Sequence, residues 1–465
     1  MQHKSNSSNT HSKAVARFVS NLRFDDIPDK ALERIKILIL DTIGCGIFGA
    51  DLQWSNILFD TLNDIDKYAE HKVLGSKRKL SALNATLLNG TQIQGFELDD
   101  VHRRGVLHVG AVTLPPLMAI AEMGPELSGK DFITAAVAGY EIGPRVGICM
   151  RPDHIGQGWH SGATVGTFSA VSGAASALKL DVEQTLNALG IAGTQAAGLM
   201  AAQYGAMVKR MHAGKSAQSG LLAALLAKKG FTGIRNIFEA PYGGFCTTFS
   251  RSQDRFDIDE LSRGLGKEFE LMNIALKFYS CVGSNHTTLD AIKDIKSRRP
   301  FVTDEIKQIT VWGSQVTIDH VGWPYEPQGL TSAQLNLPFC IATLLLEGDV
   351  SPSQFDATCI TDEKRINLSR KVRCIHDPEI TARGSKLRHM VHVEILFSDG
   401  TSEKQTREFQ RGSELDFADD DTVIKKFKSL TNEKITAEQQ DRIIDSTLSI
   451  ERLKNVKPFI NLITC

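Results

Sequence analysis

The sequence predicts a mainly α-helical protein, built from a large all-helical domain and a smaller α+β lid domain. Long apolar segments with helical spacing fill residues 27–250, and strand-like alternation is almost missing there. After about residue 270 the pattern changes, because short β-prone runs alternate with helical ones. The chain has 465 residues, 42% of them hydrophobic, so it is long enough to form more than one core.

Five segments predict the helical domain. The first two become almost wholly apolar along their length, which is typical of helices surrounded by other helices. The third and fourth are rich in Gly, Ala, Ser and Thr, so their axes can approach a neighbour closely. Asp181 and Gln184 form a capping box at the start of the fourth, and a Lys pair before Gly230 closes the fifth. The five segments cover residues 30–48, 132–146, 162–180, 185–202 and 216–229.

Three short strands and one helix predict the lid domain. Residues 306–311 and 371–375 are β-prone, and residues 391–397 alternate cleanly before Asp399-Gly400, a dipeptide typical of hairpin turns. The apolar residues 335–346 between them predict a helix. With a returning helix around residues 436–453, the predicted units are a disordered tail at residues 1–13, the helical domain at 14–269 plus 406–465, and the lid at 270–405.

Composition excludes several classes of function. Lys and Arg number 53 against 54 Asp and Glu, so the near-zero net charge predicts no binding to nucleic acid or to a membrane surface. The longest apolar stretch, residues 38–50, contains Asp41 and is shorter than the about 20 residues of a membrane span. The first dozen residues lack the apolar core of a signal peptide, and the eight cysteines show no zinc or iron–sulfur spacing. We expect a cytoplasmic protein that needs no metal and no cofactor.

Four segments carry side chains suited to acid–base chemistry on an anion, namely residues 97–108, 158–162, 209–216 and 277–286. Each has an ordinary structural explanation: a solvated loop, a hydrogen-bonded core histidine, a basic turn and an interdomain hinge, in that order. The third ends in Gly-Lys-Ser, but Lys209 stands where a P-loop requires glycine, so nucleotide binding is not expected.

Together the four segments fit the removal of a proton beside a carboxylate. That reaction needs a base of near-neutral pKa, an acid for the leaving group, and cations or helix N-termini around the carboxylates of the substrate. His160 precedes a predicted helix, a position that favours anions and keeps an imidazole neutral. Lys209 belongs to a cationic loop that opens another predicted helix, and Lys277 lies at the predicted domain junction, where ligand clefts commonly form.

The chain resembles the MmgE/PrpD family, which includes 2-methylcitrate dehydratase and cis-aconitate decarboxylase. The likeness runs from about Ala14 to Leu453 and is strongest with the itaconate-forming decarboxylases of moulds. Several multi-residue matches in the same order are more specific than any single one. The matching motifs are Glu97-Leu98-Asp99-Asp100, Gly158-Trp159-His160, Ala202-Gln203-Tyr204-Gly205, Met207-Val208-Lys209-Arg210 and Tyr242-Gly243-Gly244-Phe245.

The resemblance implies a large helical domain, an α+β lid, a homodimer and a metal-free site in the cleft between the domains. It assigns catalysis to Asp100, His108 and His160, and leaves open which histidine is the base and which the acid. The substrate is expected to be a small polycarboxylate. Its binding candidates are Lys209 and Lys277 as carboxylate anchors, with Arg103, His212 and Tyr279 from the same segments.

Departures from the family pattern bear on the substrate. Val101 and Val109 replace the Thr and Pro of many relatives, and Arg103, Arg104 and Gly105 replace Ser and acidic residues of the mould decarboxylases. These changes predict a pocket that is less polar on one side and more cationic on the other, which suits an alkyl tail.

We therefore expect a metal-independent lyase that dehydrates 2-methylcitrate or a longer alkylcitrate. The first alternative is decarboxylation of cis-aconitate to itaconate. A dicarboxylate epimerase and a non-catalytic helical binding protein are further alternatives.

Overall fold

The computed structural model describes residues 10–124, 126–151 and 153–464, and it confirms a mainly α-helical fold with a smaller α+β region. The helices are α1 His11–Asn21, α2 Asp29–Gly49, α3 Gln53–Ile65, α4 Ala82–Gln94, α5 Val109–Met123, α6 Gly129–Met150, α7 Asp153–Gly156, α8 Ser161–Thr164, α9 Gly166–Ala177, α10 Val182–Gly193, α11 Val208–Lys228, α12 Phe245–Ser250, α13 Gly283–Arg298, α14 Gln315–Val321, α15 Leu330–Leu335, α16 Leu337–Glu347, α17 Ala357–Ile360, α18 Glu363–Ser369, α19 Pro378–Ala382, α20 Asp420–Thr431, α21 Ala437–Leu448 and α22 Lys457–Ile463. The strands are β1 His71–Lys72, β2 Lys79–Leu80, β3 Val101–His102, β4 Ile274–Ala275, β5 Ile306–Gly313, β6 Val372–His376, β7 Val391–Phe397 and β8 Ser402–Arg407.

The centre of the helical part is formed by α4, α5, α6, α9 and α11, which pack against one another. Small residues allow their axes to come close, as the sequence predicts. A Cβ atom at Gly214 of α11 would lie 2.0 Å from the carbonyl oxygen of Leu87 in α4. A Cβ atom at Gly220 would lie 2.4 Å from the Cβ atom of Ala170 in α9. The two glycines therefore permit helix contacts that any side chain would block.

The α+β part contains a four-stranded sheet of strand order β6-β5-β7-β8. Strands β5 and β6 are parallel, whereas β5–β7 and β7–β8 are antiparallel. Alternate side chains of β7 are buried, and α13 packs against β7 and β8. Gly400, with φ 85°, lies in the turn between β7 and β8, so the predicted hairpin is confirmed.

Beyond the sheet, the chain returns to the helical part. Helices α20 and α21 pack on α2, and α22 packs on α5. Strand β3 pairs with β4, so Val101 lies opposite Ala275. This pairing brings the segment of residues 97–108 close to the chain that leads to Lys277.

Several predicted boundaries are wrong. The expected tail includes the start of α1, which begins at His11, while residues 1–9 lie outside the described residues. The fourth predicted helix ends at Gly193 instead of residue 202, because the next residues cross to the 158–160 segment, where Gly198 O accepts the amide of His160. Helix α11 begins at Val208, so the predicted cationic loop is helical. Gly214 of this segment makes the close contact with α4.

No helix in the described part of the chain combines the length and apolar character that crossing a bilayer requires.

Candidate functional site

Three of the predicted site residues lie at helix N-termini that converge. His108 is the N-cap residue of α5, His160 is the N-cap residue of α8, and Lys209 lies in the first turn of α11. The amide ends of helices carry partial positive charge and unpaired N–H groups. The fold therefore gathers electropositive backbone where the sequence places its imidazole and ammonium groups.

Glu97 is a buried carboxylate surrounded by cations. Its Oε1 accepts hydrogen bonds from Lys209 Nζ and, at 3.0 Å, from Arg210 Nη1, and its Oε2 lies 3.5 Å from Lys277 Nζ. Burial alone would raise its pKa, but Lys209 and Lys277 hold the pKa of Glu97 well below its usual value. Glu97 also has φ 59°, a strained value for a residue with a side chain. The ion pairs thus hold a backbone conformation that glutamate rarely adopts.

Asp99 orients His108. Asp99 Oδ2 lies 2.9 Å from His108 Nδ1, and Lys277 Nζ donates to Asp99 Oδ1 at 3.3 Å. Burial would raise the pKa of Asp99, but His108 and Lys277 lower it below its usual value, so Asp99 is a carboxylate. Since Nδ1 of His108 is engaged, Nε2 is the nitrogen left for proton transfer.

His160 and His212 form a buried imidazole pair. Their Nδ1 atoms are 3.1 Å apart, and their ring centroids are 4.9 Å apart. Burial, with the charge of Lys209, lowers the pKa of His160 well below its usual value and that of His212 to about 4. Both rings are therefore neutral at pH 7, and one Nδ1 donates to the other. The donor ring keeps an unprotonated Nε2, which is the form that a general base requires.

Gly162 makes room for this pair. A Cβ atom at Gly162 would lie 2.9 Å from Cε1 and 3.3 Å from Nδ1 of His160. Any side chain at this position would push the imidazole away from His212.

The structure thus brings together five of the eight predicted site residues through direct contacts or electrostatic influence. They are His108, His160, Lys209, His212 and Lys277. We call these five residues, with their partners Glu97, Asp99 and Arg210, the cluster.

The other three predicted residues have different partners. Asp100 Oδ1 accepts the amide of Gly110 at the start of α5, at 2.9 Å, so Asp99 and not Asp100 contacts His108. Burial and the charge of Asp99 raise the pKa of Asp100 to about 7.

Arg103 and Tyr279 are also engaged outside the cluster. Arg103 binds both carboxylate oxygens of Glu414, at 3.1 and 2.6 Å. The hydroxyl of Tyr279 donates to Asp290 at 2.7 Å, and the ammonium of Lys293 lies 4.7 Å from the ring centroid of Tyr279. Both residues belong to predicted site segments, 97–108 and 277–286, but their positions in the sequence did not predict the direction of their side chains.

Two supporting residues were missed by sequence reasoning. Gln334 accepts from Arg210 at 2.7 Å and donates to the carbonyl oxygens of Ser280 and Phe96, so it ties α15 to two site segments. Lys426 of α20 donates to Leu98 O at 2.6 Å and pairs with Asp41 at the same distance. No local pattern marks either residue, because their partners lie far away in the chain.

His320 lies at the last turn of α14, with Nδ1 3.1 Å from Ser284 Oγ. Burial, followed by the charges of Arg388 and Lys209, lowers its pKa to about 4. His320 is therefore a third neutral imidazole within electrostatic reach of Lys209.

A cavity of about 320 Å³ adjoins this region on the side of α15 and is lined by Gln203, Tyr204, Trp323 and Ser332 among others. Its lining does not include the clustered imidazoles. Within the described ranges, no three His, Cys, Asp or Glu side chains are arranged to hold a metal ion.

Comparison with known proteins gives matches along almost the whole chain. The MmgE/PrpD N-terminal domain matches residues 13–257, and the MmgE/PrpD C-terminal domain matches residues 279–452. A cis-aconitate decarboxylase-like protein of Aspergillus oryzae is 35% identical over 97% of this chain and 96% of its own. A cis-aconitate decarboxylase of Aspergillus terreus is 33% identical over 97% and 95%, and one of Homo sapiens is 26% identical over 79% and 77%.

Proposed function

The chain belongs to the MmgE/PrpD family, and from this premise we propose that it decarboxylates cis-aconitate, or a tricarboxylate of the same shape, to an itaconate-type product. One observation carries the proposal: imidazoles and ammonium groups that are distant in sequence converge on one buried cluster. The names of the full-length relatives support this reaction over the alkylcitrate dehydration that the sequence pattern favours.

In this proposal the cations hold the substrate and its developing charge. Lys209 and Lys277 anchor two carboxylates beside the N-termini of α5, α8 and α11. The bond to the departing carboxylate breaks, carbon dioxide leaves, and the electron pair remains on the carbon skeleton. Fixed positive charge in a buried site stabilises that carbanion more strongly than water does.

A histidine then supplies the proton that completes the product. The carboxylate of Asp99 orients His108 through Nδ1 and leaves Nε2 for the substrate, so we assign His108 as the acid. Its Nε2 delivers the proton to carbon, and a proton from water restores the ring. Each turnover therefore consumes one proton and releases one molecule of carbon dioxide.

Dehydration of a 2-methylcitrate or longer alkylcitrate is the second candidate. The neutral His160–His212 pair favours it, since dehydration begins with a base that removes a proton. The replacements at positions 103 and 109, which favoured an alkyl tail on the substrate, give it less support in the structure, however. Val109 is wholly buried in the hydrophobic core, and the charge of Arg103 is paired with Glu414.

We also propose that the protein is a cytoplasmic homodimer. Apolar side chains are exposed on the segment before α11 and at its first residue, namely Leu199, Tyr204, Met207 and Val208. Such a patch supports pairing with a second copy. Within the described residues, seven cysteines are free thiols, which is typical of a reducing compartment. Sedimentation velocity that gives a monomer mass at micromolar concentration would contradict the dimer.

The reaction is tested on the purified protein with cis-aconitate, 2-methylcitrate and citrate as separate substrates. We expect carbon dioxide and an itaconate-type product from cis-aconitate. Gas detection measures the first product, and proton NMR measures the second. A rise in alkene absorbance with 2-methylcitrate, without gas from cis-aconitate, would select dehydration instead. The His160→Ala protein, purified identically, controls for contaminating enzymes. No conversion of any of the three would reject both candidates.

A further inference from the structure

A second region of positive charge lies beside the cluster, at Arg388. The carbonyl oxygen of Arg388 accepts from Ser314 Oγ at 2.6 Å and from Thr317 Oγ1 at 2.7 Å, so its backbone is fixed to the start of α14. Its Nε donates to His389 Nε2 at 2.9 Å. The side chain is thus held in one orientation by neighbours that carry no negative charge.

Arg388 has no carboxylate of its own among the described side chains. The carboxylate that influences it is Glu414, and both oxygens of Glu414 are bound by Arg103. Both oxygens of Glu414 are thus engaged by Arg103, and none is left to pair with Arg388. Burial, followed by the charge of Arg103, lowers the pKa of Arg388 to about 10, yet the residue keeps partial solvent access. A partly accessible arginine without a counterion is suited to bind an anionic ligand.

His320 connects this arginine with the cluster. It lies on α14, the helix that fixes the backbone of Arg388, and it is hydrogen bonded to Ser284 at the start of α13. The charges of Arg388 and Lys209 both act on its ring. His320 thus links the two regions, and its Nε2 has no hydrogen-bond partner among the described residues.

The balance of charge indicates what fits there. Among the described ion pairs of the cluster, Lys209, Arg210 and Lys277 are matched by Glu97 and Asp99, which leaves one positive charge in excess. In the second region, Arg103 is paired with Glu414, and no described carboxylate forms an ion pair with Arg388, which leaves another. A ligand that reaches both regions places a carboxylate beside each excess charge, whereas a ligand without the far carboxylate leaves the charge of Arg388 unmatched.

We propose that Arg388 and His320 form a second carboxylate subsite, which binds the third carboxylate of a tricarboxylate while Lys209 and Lys277 hold the other two. The proposal rests on the proposed function in that the ligand is a polycarboxylate. It adds the residues that distinguish three carboxylates from two. The planar guanidinium of Arg388 can bind that carboxylate through two parallel hydrogen bonds.

The test is calorimetric binding to the intact protein, without turnover. The two ligands are tricarballylate, which is saturated and carries three carboxylates, and methylsuccinate, which lacks one terminal carboxylate. We expect wild-type protein to bind tricarballylate at least about tenfold more tightly than methylsuccinate, as one charge-assisted contact predicts. Arg388→Gln should weaken the binding of tricarballylate about 10- to 100-fold and change the affinity for methylsuccinate less than about twofold.

Two further variants sharpen the result. Arg388→Lys keeps the positive charge but not the planar guanidinium with its two parallel donors, and we expect an intermediate loss of affinity for tricarballylate. Arg383→Gln is the matched control, because Arg383 is an exposed arginine of the same segment, 3.9 Å from Glu408. It should bind both ligands as wild type does.

Equal affinity of the wild-type protein for the two ligands overturns the proposed subsite. An equal loss of affinity for both ligands in Arg388→Gln overturns it too. Absence of tricarballylate binding overturns it as well. If tricarballylate binds selectively but cis-aconitate is not converted, the subsite stands and the proposed reaction fails. The two proposals can therefore fail separately.

Discussion

Asp99 and Asp100 are adjacent in the chain, but their carboxylates occupy opposite electrostatic environments. Asp99 contacts His108 and Lys277, and its pKa lies below its usual value despite complete burial. Asp100 contacts the amide of Gly110, and its pKa rises to about 7. We call these the cluster face and the helix face of the segment 97–108. The comparison teaches that the available counterions, and not the residue type, set the direction in which the pKa of each carboxyl group moves.

The largest expected effect lies at the buried imidazole pair, outside the segment 97–108. His160→Ala should lower turnover by about two to four orders of magnitude, because it breaks the pair with His212 within electrostatic reach of the anchor Lys209 and the proton donor His108. His154→Ala is the matched control: His154 is also a buried histidine beside α8, but its Nε2 contacts Thr164. Steady-state kinetics should show near-normal turnover for His154→Ala. Unchanged turnover in His160→Ala would remove this ring from the mechanism.

The comparison is tested most directly by replacing each aspartate with asparagine. Asp99→Asn should lower kcat about 100-fold, since His108 loses the carboxylate that orients its ring through Nδ1. Asp100→Asn should keep kcat within about threefold, because Asp100 lies on the helix face and is partly protonated at pH 7. Kinetics of the two purified variants provide the measurement. A larger loss in Asp100→Asn would reverse the roles inferred for the two faces.

A smaller effect is expected from an anchor of the cluster. Lys209→Ala should raise KM about tenfold with a smaller fall in kcat, because most of the contact with the carboxylate is made in the bound substrate and the transition state alike, and only the remainder acts on the developing charge. Lys215→Ala is the control, since Lys215 lies on the same helix but is exposed and contacts Gln218. A fall in kcat with constant KM would instead place Lys209 in the proton transfer.

The smallest effect concerns the stability contributed by the helix face. The folded-state pKa of Asp100 is about 7, above its ordinary value of 3.8. Between these values the folded protein binds a proton that the unfolded chain has lost, so this group makes stability fall as pH rises from about 4 to 7. Asp100→Asn removes that slope.

Thermal melts of both proteins across this range should therefore show the Tm of Asp100→Asn rising relative to wild type as pH increases. A shift of about 1 °C is expected for each kcal/mol in a chain of this size. A constant difference from pH 4 to 7 would contradict the raised pKa.

Local signals in the sequence predicted much of the fold. The capping box at Asp181 and Gln184 and the hairpin at Asp399-Gly400 are both present, since such motifs depend on neighbouring residues. Helix ends were less predictable. The end of α10 at Gly193 depends on the pairing of the following segment with residues 158–160, which are distant in the chain.

The sequence by itself determined the helical architecture, the α+β region and the types of side chain that form the site, because periodicity, caps and motif order are local properties. Only the tertiary structure decided which charges meet. Asp99 rather than Asp100 faces His108, Arg103 pairs with Glu414, and no carboxylate in the described part of the chain pairs with Arg388. Electrostatic interactions act through distance and burial, and neither can be read from residues that are far apart along the chain.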